Sequence, residues 1–277
     1  MLKKIAKGIL PPVVYSLIRK IIRPTKPYHP SWHTITSGTL KGRELFLDPR
    51  DGLWQKEMLD GTFDGFIFEY LSSLNLKGKT VFDIGAQIGF HSMHFAAMVG
   101  DKGRVYAFEP NTFNRERMMM IMKKNPDLEQ RIKILDVALS DKNGLEDFYF
   151  TKDVDGGASS ASFIAHAHTY YPKSEQYLGL FEKTRVETIT LDDIASRIGK
   201  GVVPRVLKID VEGAESSVLQ GGIKSLKKHK PVIMMEVHSI YNMLRSYEIL
   251  QAAGYKIALL KEELDGRCFV AAESRSR

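Results

Sequence analysis

Residues 81–90, Val81-Phe82-Asp83-Ile84-Gly85-Ala86-Gln87-Ile88-Gly89-Phe90, leave this chain few ways to fold. A short apolar run of strand length ends in an acid. It then turns through two glycines into a helical pattern, and glycine there lets the backbone approach a ligand closely. A strand feeding directly into a helix is the opening unit of a wound α/β sheet, in which ligands sit beyond the carboxyl ends of the strands.

The rest of the chain continues that alternation. Strands are expected over 80–84, 104–108, 132–135, 206–209 and 231–237, with helices over 91–99, 112–124, from 214, and over 241–252. Segments 255–260 and 268–272 have no helix between them and predict a closing antiparallel hairpin. The expected fold is a doubly wound, mainly parallel seven-stranded sheet with an N-terminal helical leader. Three regions follow: a leader over 1–27, an extension over 28–75 with a short hairpin and a helix over 54–75, and a main domain over 76–277. Residues 151–184 break the alternation. The run 156–162 is rich in Gly and Ser, and His166, His168, Tyr170 and Tyr171 follow it. Such an insertion suits either substrate contacts or a plain surface excursion.

Charge is concentrated at one end. Nine Lys or Arg and no acid precede Glu44, whereas residues 44–277 hold 31 basic and 33 acidic residues. A slightly acidic body weighs against nucleic acid as a partner. Within the leader, Val13, Val14, Leu17, Ile18, Ile21 and Ile22 share one half of a helical wheel, and Arg19, Lys20 and Arg23 share the other. That pattern suits packing on the domain, an oligomer contact, or peripheral contact of residues 1–24 with an anionic membrane. Pro11-Pro12, the missing small-residue cleavage site and the basic C-terminal end argue against a secretory signal. No apolar run is long enough to span a membrane. The single cysteine, Cys268, excludes an internal disulfide. The expected location is cytoplasmic, with peripheral attachment at the inner membrane face as the variant.

The ligand is read from the two strand ends. D-x-G-x-x-x-G differs from the dinucleotide fingerprint and lacks the Lys-Ser/Thr of a P-loop. Twenty residues after Gly89, the next strand ends in Glu109, placed to take both hydroxyls of a ribose. A ribose acid without phosphate-binding features points to S-adenosylmethionine.

The segments DIGAQIGFHS, VYAFEPN, DVALSD, TLDDI, LKIDVEGAE and PVIMMEVH, in this order, resemble the FkbM-type methyltransferases over about residues 55–260. The resemblance implies a seven-stranded S-adenosylmethionine-dependent fold and methylation of hydroxyls on sugars, polyketides and related natural products. It further implies that Asp83, Gly85, Ala86, Gln87 and Gly89 cradle the methionine part and Glu109 the ribose. Asp136, Val137 and Ala138 then lie near adenine. Where members often have Asn, this chain has Gln87, which offers the same amide.

On the acceptor side, Asp210 ends the fourth strand, Glu212 follows, and Glu236 and His238 share one side of the fifth strand end. His238 is the first expectation for the base that removes the acceptor proton, Asp210 the second, with Glu236 and Glu212 nearby. Asp210, Glu236 and His238 also suit a divalent cation, a less favoured alternative. His91 and His94, three apart, read as one helical turn beside the cofactor rather than a ligand pair. Glu215 reads as a solvated helix acid. The expected activity is O-methylation of a sugar hydroxyl in a polysaccharide, glycolipid or glycosylated natural product. The alternatives are a non-sugar small-molecule or polyketide O-methyltransferase, or a non-catalytic cofactor-binding scaffold in a glycan assembly complex.

Overall fold

A computed structural model describes residues 29–50, 52–151, 162–167, 178–179 and 181–275. The leader helix, the run 156–161 and His168, Tyr170 and Tyr171 lie outside the described residues. The chain opens with β1 (Ser31–Thr34), β2 (Glu44–Leu47), α1 (Leu53–Leu59) and α2 (Gly65–Ser72). It continues with β3 (Thr80–Ile84), α3 (Phe90–Val99), β4 (Arg104–Phe108), α4 (Thr112–Lys124), α5 (Pro126–Glu129) and β5 (Ile132–Leu135). An excursion follows through β6 (Ala138–Leu139), β7 (Gly144–Thr151), β8 (Ser162–Ile164), β9 (Phe181–Ile189) and α6 (Ala195–Ile198). The last part holds β10 (Pro204–Ile209), α7 (Glu215–Gln220), α8 (Ile223–His229), β11 (Val232–Val237), α9 (Ile240–Ala252), β12 (Tyr255–Glu262) and β13 (Cys268–Ser274).

Seven strands form the main sheet in the order β12-β13-β11-β10-β3-β4-β5. The β11-β10-β3-β4-β5 pairs are parallel, and β13 runs antiparallel to both neighbours, β11 and β12. The chain is thus α/β with the expected doubly wound sheet. Its strand order places the last strand between two earlier ones.

Both faces of the sheet are covered, which is why its central strands β3, β10 and β11 are largely apolar rather than alternating with polar residues. Val81, Val105, Val206 and Met234 pack on one face, with α3 and α4. Phe82, Ile84, Leu207, Ile209 and Ile233 pack on the other, with α7 to α9. The β1–β2 hairpin, α1 and α2 contribute Leu45, Met58, Ile67 and Leu71 to the first of these cores. Arg43 clamps the hairpin to α5 through two bonds to Asp127, of 2.6 and 2.7 Å.

The helix expected over 54–75 is two helices. Gly61 breaks it at φ 70°, and a Cβ there would meet the carbonyl oxygen of Ser37 at 2.2 Å. The chain turns here because the hairpin loop passes too close for a side chain. Residues 138–189 contribute a second, four-stranded sheet of order β6-β9-β7-β8, not foreseen from the sequence. Its core of Phe148, Phe150, Phe163, Ile164 and Phe181 reaches Val211 and Ala214, so it backs the loop that follows β10.

Candidate active site

The glycine turn and the end of β4 are stitched together by backbone. The amides of Gly85 and Ala86 both donate to the Phe108 carbonyl, at 3.0 and 3.1 Å. Gln87, in the left-handed region at φ 51°, aims its amide at Glu109 Oε2 at 2.8 Å. Glu109 Oε1 accepts from the Asn111 amide at 2.9 Å, and Asn114 Nδ2 lies 3.4 Å from it. Burial raises the Glu109 carboxyl above its ordinary value, although these donors oppose the shift. The Gly85 position differs in its reason from the sequence expectation. A Cβ on Gly85 would stand 1.8 Å from the Asp210 carbonyl oxygen, and one on Gly89 would meet Met118 at 2.8 Å. The glycines therefore admit neighbouring protein segments, and they bring the turn against the end of β10.

Asp83 does not line an open space. It is fully buried, accepts from Ser92 Oγ at 2.5 Å, and lies 3.5 Å from Lys208 Nζ. Lys208, a cation inside an apolar strand, donates to the Gly85 carbonyl at 3.1 Å and lies 3.3 Å from Asp210. Burial opposes its charge, but Asp210 and Asp83 more than restore it and hold the ammonium above its ordinary range. Of the three residues expected near adenine, Asp136 is exposed after β5, Val137 is buried in the second-face core, and Ala138 begins β6.

On the acceptor side, the sequence pattern and the geometry converge. His238 Nε2 lies 3.7 Å from carboxylate oxygens of Asp210, Glu212 and Glu236 alike. His238 Nδ1 pairs with Glu215 at 2.9 Å. Glu215 is fully buried, contrary to the solvated acid expected, and also accepts from the Gly213 amide at 2.8 Å. Its place at the start of α7 looks like any surface helix acid in the sequence, and only tertiary pairing distinguishes it.

Burial alone would lower the His238 imidazole, but Glu212, Glu215 and Glu236 carry it well above the ordinary histidine value. The surrounding carboxylates thus favour the imidazolium over the neutral ring that a base would need. Burial raises Glu212 to about 7, against the pull of His238. Burial and the Asp210 charge also raise Glu236, although Arg267 Nη1 bonds it at 2.5 Å. Burial works the other way on Asp210, yet Lys208 and His238 outweigh it and keep this carboxyl below its ordinary value. Lys208, Glu215 and Arg267 were absent from the expected site. A lysine in the otherwise apolar run 206–209 was the one local signal.

The N-terminal extension closes the near side. His91, in the first turn of α3, pairs through Nε2 with Asp64 at 3.1 Å. His94, one turn on, stacks on Phe68 at 3.8 Å. Neither of its ring nitrogens has a partner among the described residues, and burial drives it down to about 3. That ring packs as an aromatic. Asp210, Glu236 and His238 place ligand atoms within 4.8 Å of one another.

The donor set fits S-adenosylmethionine. An ionised carboxylate has about four acceptor sites, and Glu109 has two short backbone bonds. Acceptor capacity thus remains at the carboxyl end of β4. Among the described residues no helix is long and apolar enough to cross a membrane.

The methyltransferase FkbM domain matches residues 83–257. The 2-O-methyltransferase NoeI of Sinorhizobium fredii is 25% identical over 197 residues, covering 66% of this chain and 77% of NoeI. The hexuronic acid methyltransferase AglP of Haloferax volcanii is 31% identical over 190 residues, covering 68% of this chain and 66% of AglP. A crystal structure of methyltransferase FkbM from Methylobacillus flagellatus aligns with a TM-score of 0.46 at 18% identity, over 70% of this chain and 43% of that one. With the family match spanning more than half its length, the chain belongs to the FkbM methyltransferases and is an S-adenosylmethionine-dependent enzyme.

Proposed function

We propose that this protein transfers a methyl group to a hydroxyl of a sugar, within a polysaccharide, a glycolipid or a glycosylated natural product. The observation that carries the reading is the ring of carboxylates around His238. Three of them end within 3.7 Å of one imidazole nitrogen, beside the glycine turn. Closely spaced carboxylates suit an acceptor with several adjacent hydroxyls, since each accepts hydrogen bonds strongly. The sugar-modifying names of NoeI and AglP support the same class.

S-adenosylmethionine, when bound, supplies an electrophilic methyl on a sulfonium. The chain's own part is positioning, the main help that such a displacement needs. Glu109 takes the ribose hydroxyls, the turn of Gly85, Ala86, Gln87 and Gly89 holds the methionine part, and Asp136, Val137 and Ala138 border the adenine. Asp83 acts from behind, by fixing Lys208 under the turn. His238, as an imidazolium, holds Asp210, Glu212 and Glu236 together, and these orient the acceptor. Lys208 and Arg267 already stand against Asp210 and Glu236, which supports a site that works without a divalent cation. Attachment of residues 1–24 to an anionic membrane remains part of the proposal, because it would bring the site to a lipid-carried acceptor.

Labelled S-adenosylmethionine tests this. The purified chain is offered monosaccharides, uronic acids, nucleotide sugars and oligosaccharides beside a panel of phenols and simple alcohols. Label should appear as a sugar methyl ether. Label only in the second panel overturns the sugar reading. No transfer by a chain that binds the cofactor in calorimetry favours the scaffold alternative.

A further inference from the structure

Asp64 occupies the N-cap of α2, where aspartate is favoured because its carboxylate accepts from the amides that open the helix. Here it makes no such bond. Its backbone sits in the left-handed region at φ 51°, uncommon for a residue with a side chain though less so for aspartate than for most. Its carboxylate instead reaches 27 positions along the chain to His91 Nε2, at 3.1 Å. The local helix gives up its own cap for a distant contact, and conformational strain of this kind concentrates where a side chain is needed for chemistry.

The contact is well placed for that. Each partner's side chain keeps only 10% exposure. The rings of Phe63 and Phe68 lie 5.8 and 5.6 Å from the His91 ring and limit its rotation. With Nε2 held by the carboxylate, the other nitrogen, Nδ1, becomes the acceptor of the neutral ring. No hydrogen bond from the described residues reaches Nδ1. His91 stands in the first turn of α3, two residues after Gly89 of the glycine turn, and is close enough to Asp210 for the two to interact electrostatically. Two of the other groups suited to proton transfer are already engaged. His238 has Glu215 at 2.9 Å and three carboxylates at 3.7 Å, and Asp210 has Lys208 at 3.3 Å.

Resting on the O-methyl transfer reading, we propose that His91 is the general base for the acceptor hydroxyl and that Asp64 is its positioning residue. The acceptor O–H bond breaks and its proton passes to Nδ1 of His91. The oxygen's electron pair forms the new C–O bond, the methyl–sulfur bond breaks, and sulfur keeps that pair as S-adenosylhomocysteine. Asp64 accepts from Nε2–H throughout, and so stabilises the imidazolium that forms.

The test uses the full chain and three readouts: calorimetry with S-adenosylhomocysteine, transfer rates on the sugar and non-sugar panels, and nitrogen NMR of labelled histidine in the S-adenosylhomocysteine complex. H91Q keeps a polar side chain of similar reach, so it serves beside H91A, and a thermal melt checks folding of both. Both should lose at least about 100-fold in kcat, with S-adenosylhomocysteine affinity within about threefold of wild type. D64N should lose about tenfold in kcat with KM unchanged, and its His91 ring should leave the Nε2–H tautomer. The proposal is overturned if H91Q keeps more than half the wild-type rate. It is equally overturned if H91Q weakens S-adenosylhomocysteine tenfold with kcat intact, which would make His91 a cofactor ligand. Transfer confined to the non-sugar panel sinks the sugar reading, and the same variants then judge the base on those acceptors. Should no acceptor take label, the ring spectrum decides. A bare Nδ1 at neutral pH upholds the assignment, and protons on both ring nitrogens overturn it.

Discussion

Lys208 donates to the carbonyl oxygen of Gly85 at 3.1 Å, joining two residues 123 positions apart. The same ammonium stands 3.5 Å from Asp83 and 3.3 Å from Asp210. One buried cation thus ties the cofactor turn to the acceptor loop and neutralises an acid on each.

Lys208→Met should therefore cost far more than a surface ion pair. It fills the same space but leaves Asp83, fully buried, without its cation. Removing one partner of a buried pair costs about 3–5 kcal/mol. Urea denaturation of the variant beside wild type measures it, and a loss below about 1 kcal/mol would mean that the ammonium contributes no more than an exposed pair.

Glu109→Gln addresses the cofactor side. The carboxylate accepts from two amides, of Gln87 and Asn111. A carboxamide has one acceptor oxygen and sets an NH₂ against a donor. Affinity for S-adenosylmethionine should fall at least tenfold, about 1.4 kcal/mol, by titration calorimetry. Unchanged affinity would remove Glu109 from the ribose.

The acceptor cluster predicts how stability changes with pH. Glu212 rises from 4.5 to about 7 on folding, and Glu236 and His238 are raised as well. A raised folded-state value means that the native chain binds the proton more tightly than the unfolded chain. That contribution is full below the unfolded value and is lost as pH rises through the folded one. For Glu212 the window runs from about pH 4.5 to 7, and its loss amounts to about 3 kcal/mol. Glu212→Gln should flatten the fall in stability between pH 5 and 8 in denaturant titrations. A slope identical to wild type would show that Glu212 titrates normally.

What the sequence disclosed and what it hid divide along the range of the interactions. The turn from Asp83 to Gly89 and the acid at 109 were legible because strand, turn and helix follow one another within a few residues. The carboxylates at 210, 212 and 236 were legible as strand-end residues for the same reason. Lys208 under Gly85, Glu215 behind His238, and Arg267 on Glu236 were not, since each depends on which strands become neighbours. The 54–75 segment misled for a related reason. Its apolar spacing continues across Gly61, and only the approach of Ser37 shows why the helix breaks there. The sheet of residues 138–189 was not foreseen, because its pairing strands lie far apart along the chain.

The position of β13 bears on how the molecule is made. A chain leaving the ribosome can align β3, β4, β5, β10 and β11 while β13 has yet to emerge, as N-terminal parts generally fold first. Until then β11 ends the sheet with an open edge, the kind that invites pairing with other chains. Arg267 arrives with that same strand and brings Glu236 its cation. Synthesis therefore completes the glycine turn before the acceptor cluster, and the residues that close the sheet also complete the charge balance of the site.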